Sequence, residues 1–214
     1  METIQKDVAD MGNKKNAKFI SIRALLVLFI SLSVLTGLLY PLTMTGLGSV
    51  IFPEKVRGSL IERDGKIIGS ELIGQNFTQA KYFWGRPSAT ASYPYNGVAS
   101  GGSNQGPSNP ALQTAITERV QVMREHDPEN AWAVPVELVT ASASGLDPHI
   151  SPAAAEYQIQ RVAKARGLNV KQVRALVLQH TEAAQWSMFG EARVHVLKLN
   201  HALDQIPVPQ TKAN

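Results

Sequence analysis

From Ala24 to Pro53 the chain reads "ALLVLFISLSVLTGLLYPLTMTGLGSVIFP", without one charged side chain. No other stretch restricts the fold as strongly. A helix rises ~1.5 Å per residue, so about 20 apolar residues cross the hydrocarbon core of a bilayer. Lipid offers the backbone no hydrogen-bond partner, so such a run spans as a helix. It predicts a transmembrane helix over 19–41, closed by Pro41, which lacks the N–H that the ladder needs. Tyr40 suits the membrane–water boundary. A cleaved signal peptide competes with this reading. Its apolar region should hold roughly 7–15 residues before a small-x-small site. Gly46-Leu47-Gly48 is such a site, but the run ahead of it is too long.

The flanks set the expected orientation. Lys14, Lys15, Lys18 and Arg23 precede or open the span, whereas Lys55 and Arg57 follow it beside Glu54. Basic flanks favour the cytoplasmic side. Residues 1–18 are therefore expected in the cytoplasm and 42–214 outside. Within the span, Ser33, Thr36, Gly37 and Tyr40 recur at i, i+3, i+4, i+7. Small and hydroxylated side chains let helices approach closely in lipid, so this stripe is a candidate contact for another membrane subunit. The ordinary Ser and Gly content of a lone anchor accounts for it equally.

The remaining residues suffice for one domain. "GSLIERDGKIIGS" predicts a hairpin around Asp64-Gly65, a favoured two-residue turn. Ser108 or Asn109 can cap a helix with Pro110 in first place, ending near His126. "VPVELVTASASG" predicts a short helix over 136–144 closed by Gly145. Ser151, Pro152 and Gly167 bound a clearer helix with an apolar stripe of Ala155, Ile159, Val162 and Ala163, and with Arg161, Lys164 and Arg166 mostly off that stripe. Asn169 with Gln172 resembles a capping box. "ARVHVLKLN" is rich in β-branched residues and predicts a strand. The expected class is α+β: one N-terminal transmembrane helix, then a helix-rich extracytoplasmic domain with a small β-sheet.

Chemistry is sparse. The chain has no cysteine, which excludes disulfides and Cys-ligated zinc. Its net charge of +4 comes from scattered basic residues, so no nucleic-acid partner is expected. "TASASG" lacks the first Gly of a hydrolase elbow. Asp147 can orient His149 as a base, yet a triad also needs a nucleophile such as Ser142 or Ser144. His195 and His201 lack a third ligand, so no metal site is expected. A membrane-anchored hydrolase or a stand-alone solute-binding domain are the alternatives to a binding and assembly role. "YPYNGVASGGSNQGPSNPAL", residues 93–112, has the composition of a linker. Its tyrosines, its lack of charge and the helix start at its end predict an ordered loop instead. It lacks the Lys that a phosphate-binding loop carries.

Several longer segments carry a family resemblance: "GLLYPLTMTGL", "GSLIERDGKIIGSELIGQNF", "YFWGRPSAT", "SGGSNQGPSNPAL", "VPVELVTASASGLDPHISPAAAEYQIQRVAKARGL" and "VLKLNHALD". In this order they resemble the C subunit of the bacterial potassium-transporting P-type ATPase, the KdpC family. The resemblance implies an inner-membrane accessory subunit without a catalytic centre. It implies as partners a channel-like potassium-translocating subunit, a P-type ATP-hydrolysing subunit, a small membrane subunit and the bilayer. The family is described as a catalytic chaperone that raises the ATP affinity of the hydrolysing subunit, so ATP is implied through that partner. By position Gln158 is the residue implied for a nucleotide contact. Arg86, Ser88, Tyr93, Ser103 and Asn104 lie in the segments expected to face a partner subunit. His195 stands where an Asn is usual. A nucleotide contact conflicts with an outside domain, because ATP is cytoplasmic.

Overall fold

The computed structural model describes residues 22–207. The basic segment 1–18 and the expected helix start at Phe19 lie outside the described residues. The chain divides into two compact units, one ending at Val56 and the other beginning at Arg57.

In the first unit one continuous helical rod runs from Ile22 to Ile51, long and apolar enough to cross a membrane. It comprises α1 (Ile22–Val34), a π-helical stretch (Leu35–Leu39) and α2 (Tyr40–Ile51), followed by the single turn α3 (Pro53–Val56). Pro41 was expected to end the helix, and it does not. The ladder widens just before it, so the Tyr40 amide reaches back to the Leu35 carbonyl. Widening the turn moves carbonyls away from the ring that would otherwise strike them. The helix stops instead at Phe52, whose amide still bonds the Gly48 carbonyl at 2.7 Å, ahead of a second proline.

The second unit opens with a hairpin of β1 (Leu60–Arg63) and β2 (Lys66–Ser70), antiparallel, with an irregularity at Ile61/Glu62. Asp64 and Gly65 both take positive φ, 50° and 72°, the turn whose twist matches the strands. A long irregular segment leads to α4 (Pro110–His126), where Asn109 caps the Ala111 amide and Pro110 takes the first position. A three-stranded antiparallel sheet, ordered β3 (His149–Ile150), β5 (Arg193–His195), β4 (Thr181–Glu182), supports α5 (Pro152–Arg166), α6 (Val170–Gln179) and α7 (Val196–Asp204). Ser151 caps α5 and Gly167, at φ 64°, ends it, while Asn169 and Gln172 form the capping box of α6. Ile150, Ile159, Val162, Val173, Val194 and Leu199 lie at the centre of the core.

Three local expectations change. The helix expected over 136–144 is only a 3₁₀ turn, Val136–Leu138. The carbonyls of Val139 and Ala141 are taken by the Arg119 and Arg86 guanidiniums, at 2.7 and 3.3 Å, rather than by a helical ladder. "RVHVLKLN" is a strand only to His195 and then becomes α7. Val196, Leu199, Asn200 and Leu203, all buried, follow helical spacing. Finally, Arg161 and Arg166 are not off the packed side of α5: they are 3% and 8% exposed.

Candidate functional site

The buried arginines converge on one irregular stretch, Ala80–Trp84, which opens in a turn closed by the Tyr82 amide on Gln79 O at 3.1 Å and has no strand partner. Side chains satisfy its five carbonyls and the amides of Phe83 and Trp84. Arg161 Nη1 donates to the carbonyls of Ala80 and Tyr82, at 2.7 and 3.1 Å. Arg166 Nε donates to Lys81 O at 2.6 Å. Asn200 of α7 pairs with both groups of Phe83: the amide N–H donates to Oδ1 at 2.8 Å and Nδ2 donates to the carbonyl at 2.9 Å. Gln158 of α5 does the same for Trp84, at 2.8 and 3.1 Å. Buried backbone groups left unpaired cost free energy comparable to a lost hydrogen bond, and here side-chain amides mimic a neighbouring strand.

Gln158 is fully buried. Its oxygen also accepts from Arg161 Nη2 at 2.6 Å, and its nitrogen also donates to Ala154 O at 3.1 Å. A Gln side chain has two lone-pair positions and two N–H donors, and all four are occupied within the chain. Arg161 stacks over the Trp84 ring at 4.2 Å from its centroid. Burial, the main influence, lowers the guanidinium pKa to about 10, so it stays charged at neutral pH. The family resemblance singled out Gln158, for a nucleotide contact, and the sequence reading missed Arg161, Arg166 and Asn200 as its buried neighbours. Their only signal was polar residues at core positions of two helices.

The loop expected to be ordered is fastened to its own domain along its first half. Ser88 is the hub: its hydroxyl donates to Gly145 O at 2.7 Å and accepts from the Tyr95 amide at 2.8 Å. The Tyr95 hydroxyl donates to Arg86 O at 2.5 Å. Burial first, and the Asp147 charge second, push that phenol up to about 12. Asn96 is buried and its Nδ2 donates to Ala91 O at 3.1 Å. The Gly101 amide donates to Ser144 O at 2.9 Å. Gly145 makes this seam possible, because at φ +67° a Cβ there would sit 2.7 Å from Gly101 O. Beyond Gly102 the loop rises into solvent: Ser103 and Asn104 are exposed, as is Tyr93. Arg86 and Ser88 are half-buried and thus act inside the loop's own scaffold. A groove of about 580 Å³ lies alongside, lined among others by Phe77, Trp84, Arg86, Tyr95, Arg119 and Met123.

Asp147 accepts from the His149 amide at 3.0 Å, and its carboxylate lies 3.5 Å from His149 Nδ1 and 3.5 Å from Arg86 Nη1. Burial alone would raise the Asp147 pKa, but the His149 hydrogen bonds and the Arg86 charge outweigh it and hold it below the usual carboxylate value. Among the described residues no hydroxyl hydrogen-bonds His149, Ser142 is buried, and the Ser144 hydroxyl accepts from the Leu146 amide at 3.1 Å. No group of three or more potential metal ligands occurs among the described residues. His195 caps the N-terminus of α7, and His201 lies in its last turn.

On the rod, Ser33, Thr36, Gly37 and Tyr40 are all exposed. The π-helical stretch acts as one inserted residue, about 100° of rotation, so Tyr40 leaves the line that uniform spacing would keep. The Thr36 hydroxyl donates to Leu32 O at 2.7 Å.

Known proteins match the chain along most of its length. The family described as "K+-transporting ATPase, c chain" matches residues 22–205. A potassium-transporting ATPase KdpC subunit from Polaromonas naphthalenivorans is 62% identical over 185 residues, 86% of this chain and 94% of that protein. The KdpC subunit from Variovorax paradoxus is 61% identical over 183 residues, 86% and 95% of the two chains. That from Dechloromonas aromatica is 57% identical over 185 residues, 86% and 97%. With its apolar rod, its α+β domain and these relatives, the chain belongs to the KdpC family of potassium-transporting ATPase subunits, accessory components of potassium transport.

Proposed function

We propose that this chain holds a potassium importer together from the outer side of the bacterial inner membrane and has no reaction centre of its own. The rod anchors it. The folded domain meets the channel-like potassium-translocating subunit, while the P-type ATP-hydrolysing subunit and the small membrane subunit complete the assembly.

The observation that carries this reading is the loop that follows Ser88. It is pinned by Ser88, Tyr95 and Asn96 to its own domain, and it offers an uncharged surface through Tyr93, Ser103 and Asn104. Neutral backbone and hydroxyl oxygens suit the neighbourhood of a potassium path, where a fixed positive charge would repel the ion. A pinned loop also loses little entropy on docking. Any rise in ATP affinity then passes through assembly with the hydrolysing subunit. Gln158 contributes by clamping Trp84, since its four hydrogen-bonding positions are already filled.

The native chain has no cysteine, so Ser103→Cys gives a clean test. A membrane-impermeant maleimide should label it in intact cells that lack the partner subunits, and the assembled complex should protect it. Labelling only after permeabilisation would overturn the outside placement. Labelling undiminished by assembly would overturn the contact. Removing the rod should dissociate the complex and stop high-affinity potassium uptake, and uptake that persists would reject the assembly role.

A further inference from the structure

Between β4 and β5 the chain folds into a tight turn whose side chains have no partner among the described residues of the domain. Gln185 and Phe189 exchange both backbone hydrogen bonds, each 2.9 Å, and close the loop Trp186–Ser187–Met188. Trp186 is 81% exposed, Met188 79% and Phe189 57%. The Trp186 and Phe189 rings meet edge to face at 6.0 Å. Two successive non-glycine residues, Trp186 and Ser187, sit at φ 51° and 59°, a region that side chains with a Cβ avoid. Burial would stabilise large apolar groups, yet here a strained turn holds them out in solvent. Strain of this kind concentrates at functional positions.

We propose that the turn Ala184–Gly190 is a membrane-contacting tip, with Trp186, Met188 and Phe189 entering the headgroup layer of the bilayer that the anchor rod crosses. The charge pattern fits. No ionisable residue lies between Glu182 and Glu191, and charge returns at the base, where Arg193 pairs with Glu182 at 3.0 Å. Tryptophan combines an apolar body with a polar N–H and favours the interface between lipid and water. Gln185 and Ser187 suit the headgroup depth rather than the hydrocarbon. A protein partner is the weaker match, because a stable protein interface covers about 800 Å² on each side, more than a seven-residue turn supplies. A fluid lipid layer needs no shaped counterpart. The inference rests on the anchor reading: the rod ends at Ile51 and the folded unit begins at Arg57, so a bilayer is a surface to which the domain is tethered.

The test uses the full-length cysteine-free chain in vesicles of phosphatidylethanolamine and phosphatidylglycerol. Nitroxide labels are placed singly at Trp186→Cys, Met188→Cys, Ser103→Cys and Leu28→Cys, and circular dichroism checks that each variant is folded. Collisions with oxygen report lipid and collisions with a water-soluble nickel chelate report solvent. Oxygen should dominate at 186 and 188, at a shallower depth than at Leu28, while Ser103 stays aqueous. Water exposure at 186 and 188 with Leu28 in lipid would overturn the tip alone. An aqueous Leu28 would overturn the anchor and the tip with it. Labels that are aqueous in vesicles and shielded from both reagents only in the assembled complex would assign the turn to a partner subunit and reject the lipid contact.

Discussion

Gln158 and Trp84 face each other as two strands of a sheet would: the Trp84 amide donates to Gln158 Oε1 at 2.8 Å, and Gln158 Nε2 donates to the Trp84 carbonyl at 3.1 Å. One residue earlier, Asn200 repeats the arrangement with Phe83. Two helices thereby grip consecutive residues of a segment that has no strand beside it.

Replacing Gln158 by Leu keeps the volume but orphans both polar groups of Trp84. An unsatisfied buried group costs about 1–3 kcal/mol, so Gln158→Leu should destabilise the full chain by roughly 2–4 kcal/mol. Urea unfolding in detergent, followed by tryptophan fluorescence, measures it. An unchanged midpoint, together with weakened ATP affinity in the complex, would mean that Gln158 serves the nucleotide and not the fold.

Arg161→Lys should cost a comparable amount although charge is kept. The guanidinium reaches Ala80 O, Tyr82 O and Gln158 Oε1 at once and stacks on Trp84, whereas a single ammonium cannot reproduce that planar fork. Because it shares a network with Gln158, the double variant should fall short of the sum of the two losses. Strict additivity in the same unfolding assay would contradict the shared clamp.

Gly145→Ala places a Cβ against Gly101 O and forces a side chain into φ +67°. Strain of about 1–3 kcal/mol is expected, concentrated in the loop seam. Hydrogen exchange should accelerate at the Gly101 amide, which bonds Ser144 O, before the core amides respond. Uniform acceleration would place the strain in the core instead.

His195 predicts a specific acid sensitivity. Its Nε2–H donates to Glu71 O at 3.0 Å and its Nδ1 accepts from the Lys198 amide at 3.4 Å, so the cap bond at Nδ1 requires the neutral ring, whereas the bond to Glu71 survives protonation. Burial chiefly, with His149 and Lys198 adding to it, lowers its pKa from 6.5, against the Glu71 carbonyl and Glu182. The unfolded chain therefore takes up the proton first, and stability falls as pH drops from about 6.5 through the lower folded value. His195→Asn, which can also accept the cap bond, should flatten the change in unfolding midpoint across that window. The contribution of Asp147 lies lower, because its depressed pKa keeps it ionised until pH falls below its usual 3.8. An unaltered pH profile in His195→Asn would reject the assignment.

Pro41→Ala restores the missing N–H and lets the rod become uniformly α-helical. That change rotates Tyr40 relative to Ser33 by about 100°. If the π-helical phase orients the rod against a partner helix, complex yield on co-purification should drop while helicity by circular dichroism rises. Equal yield would show that rotation at this point is immaterial.

The bounds that were legible in advance are those set by local chemistry. The uncharged run had to be helical, since lipid supplies no other hydrogen-bond partner. Asp64-Gly65, Asn109-Pro110, Ser151-Pro152, Gly167 and the Asn169–Gln172 box each satisfy backbone groups within a few residues, and each forms as expected. Apart from Pro41, which a local π-helical widening accommodates, the departures fall where partners are distant in sequence. Val139 and Ala141 surrender their carbonyls to arginines from other segments, and α7 starts at Val196 because a sheet ends and a core begins there. Tertiary structure alone decided that Gln158, Arg161, Arg166 and Asn200 point inward. Residue spacing shows which side of a helix a polar group occupies, but only the folded chain brings Ala80–Trp84 against that side, with backbone groups that must be paired.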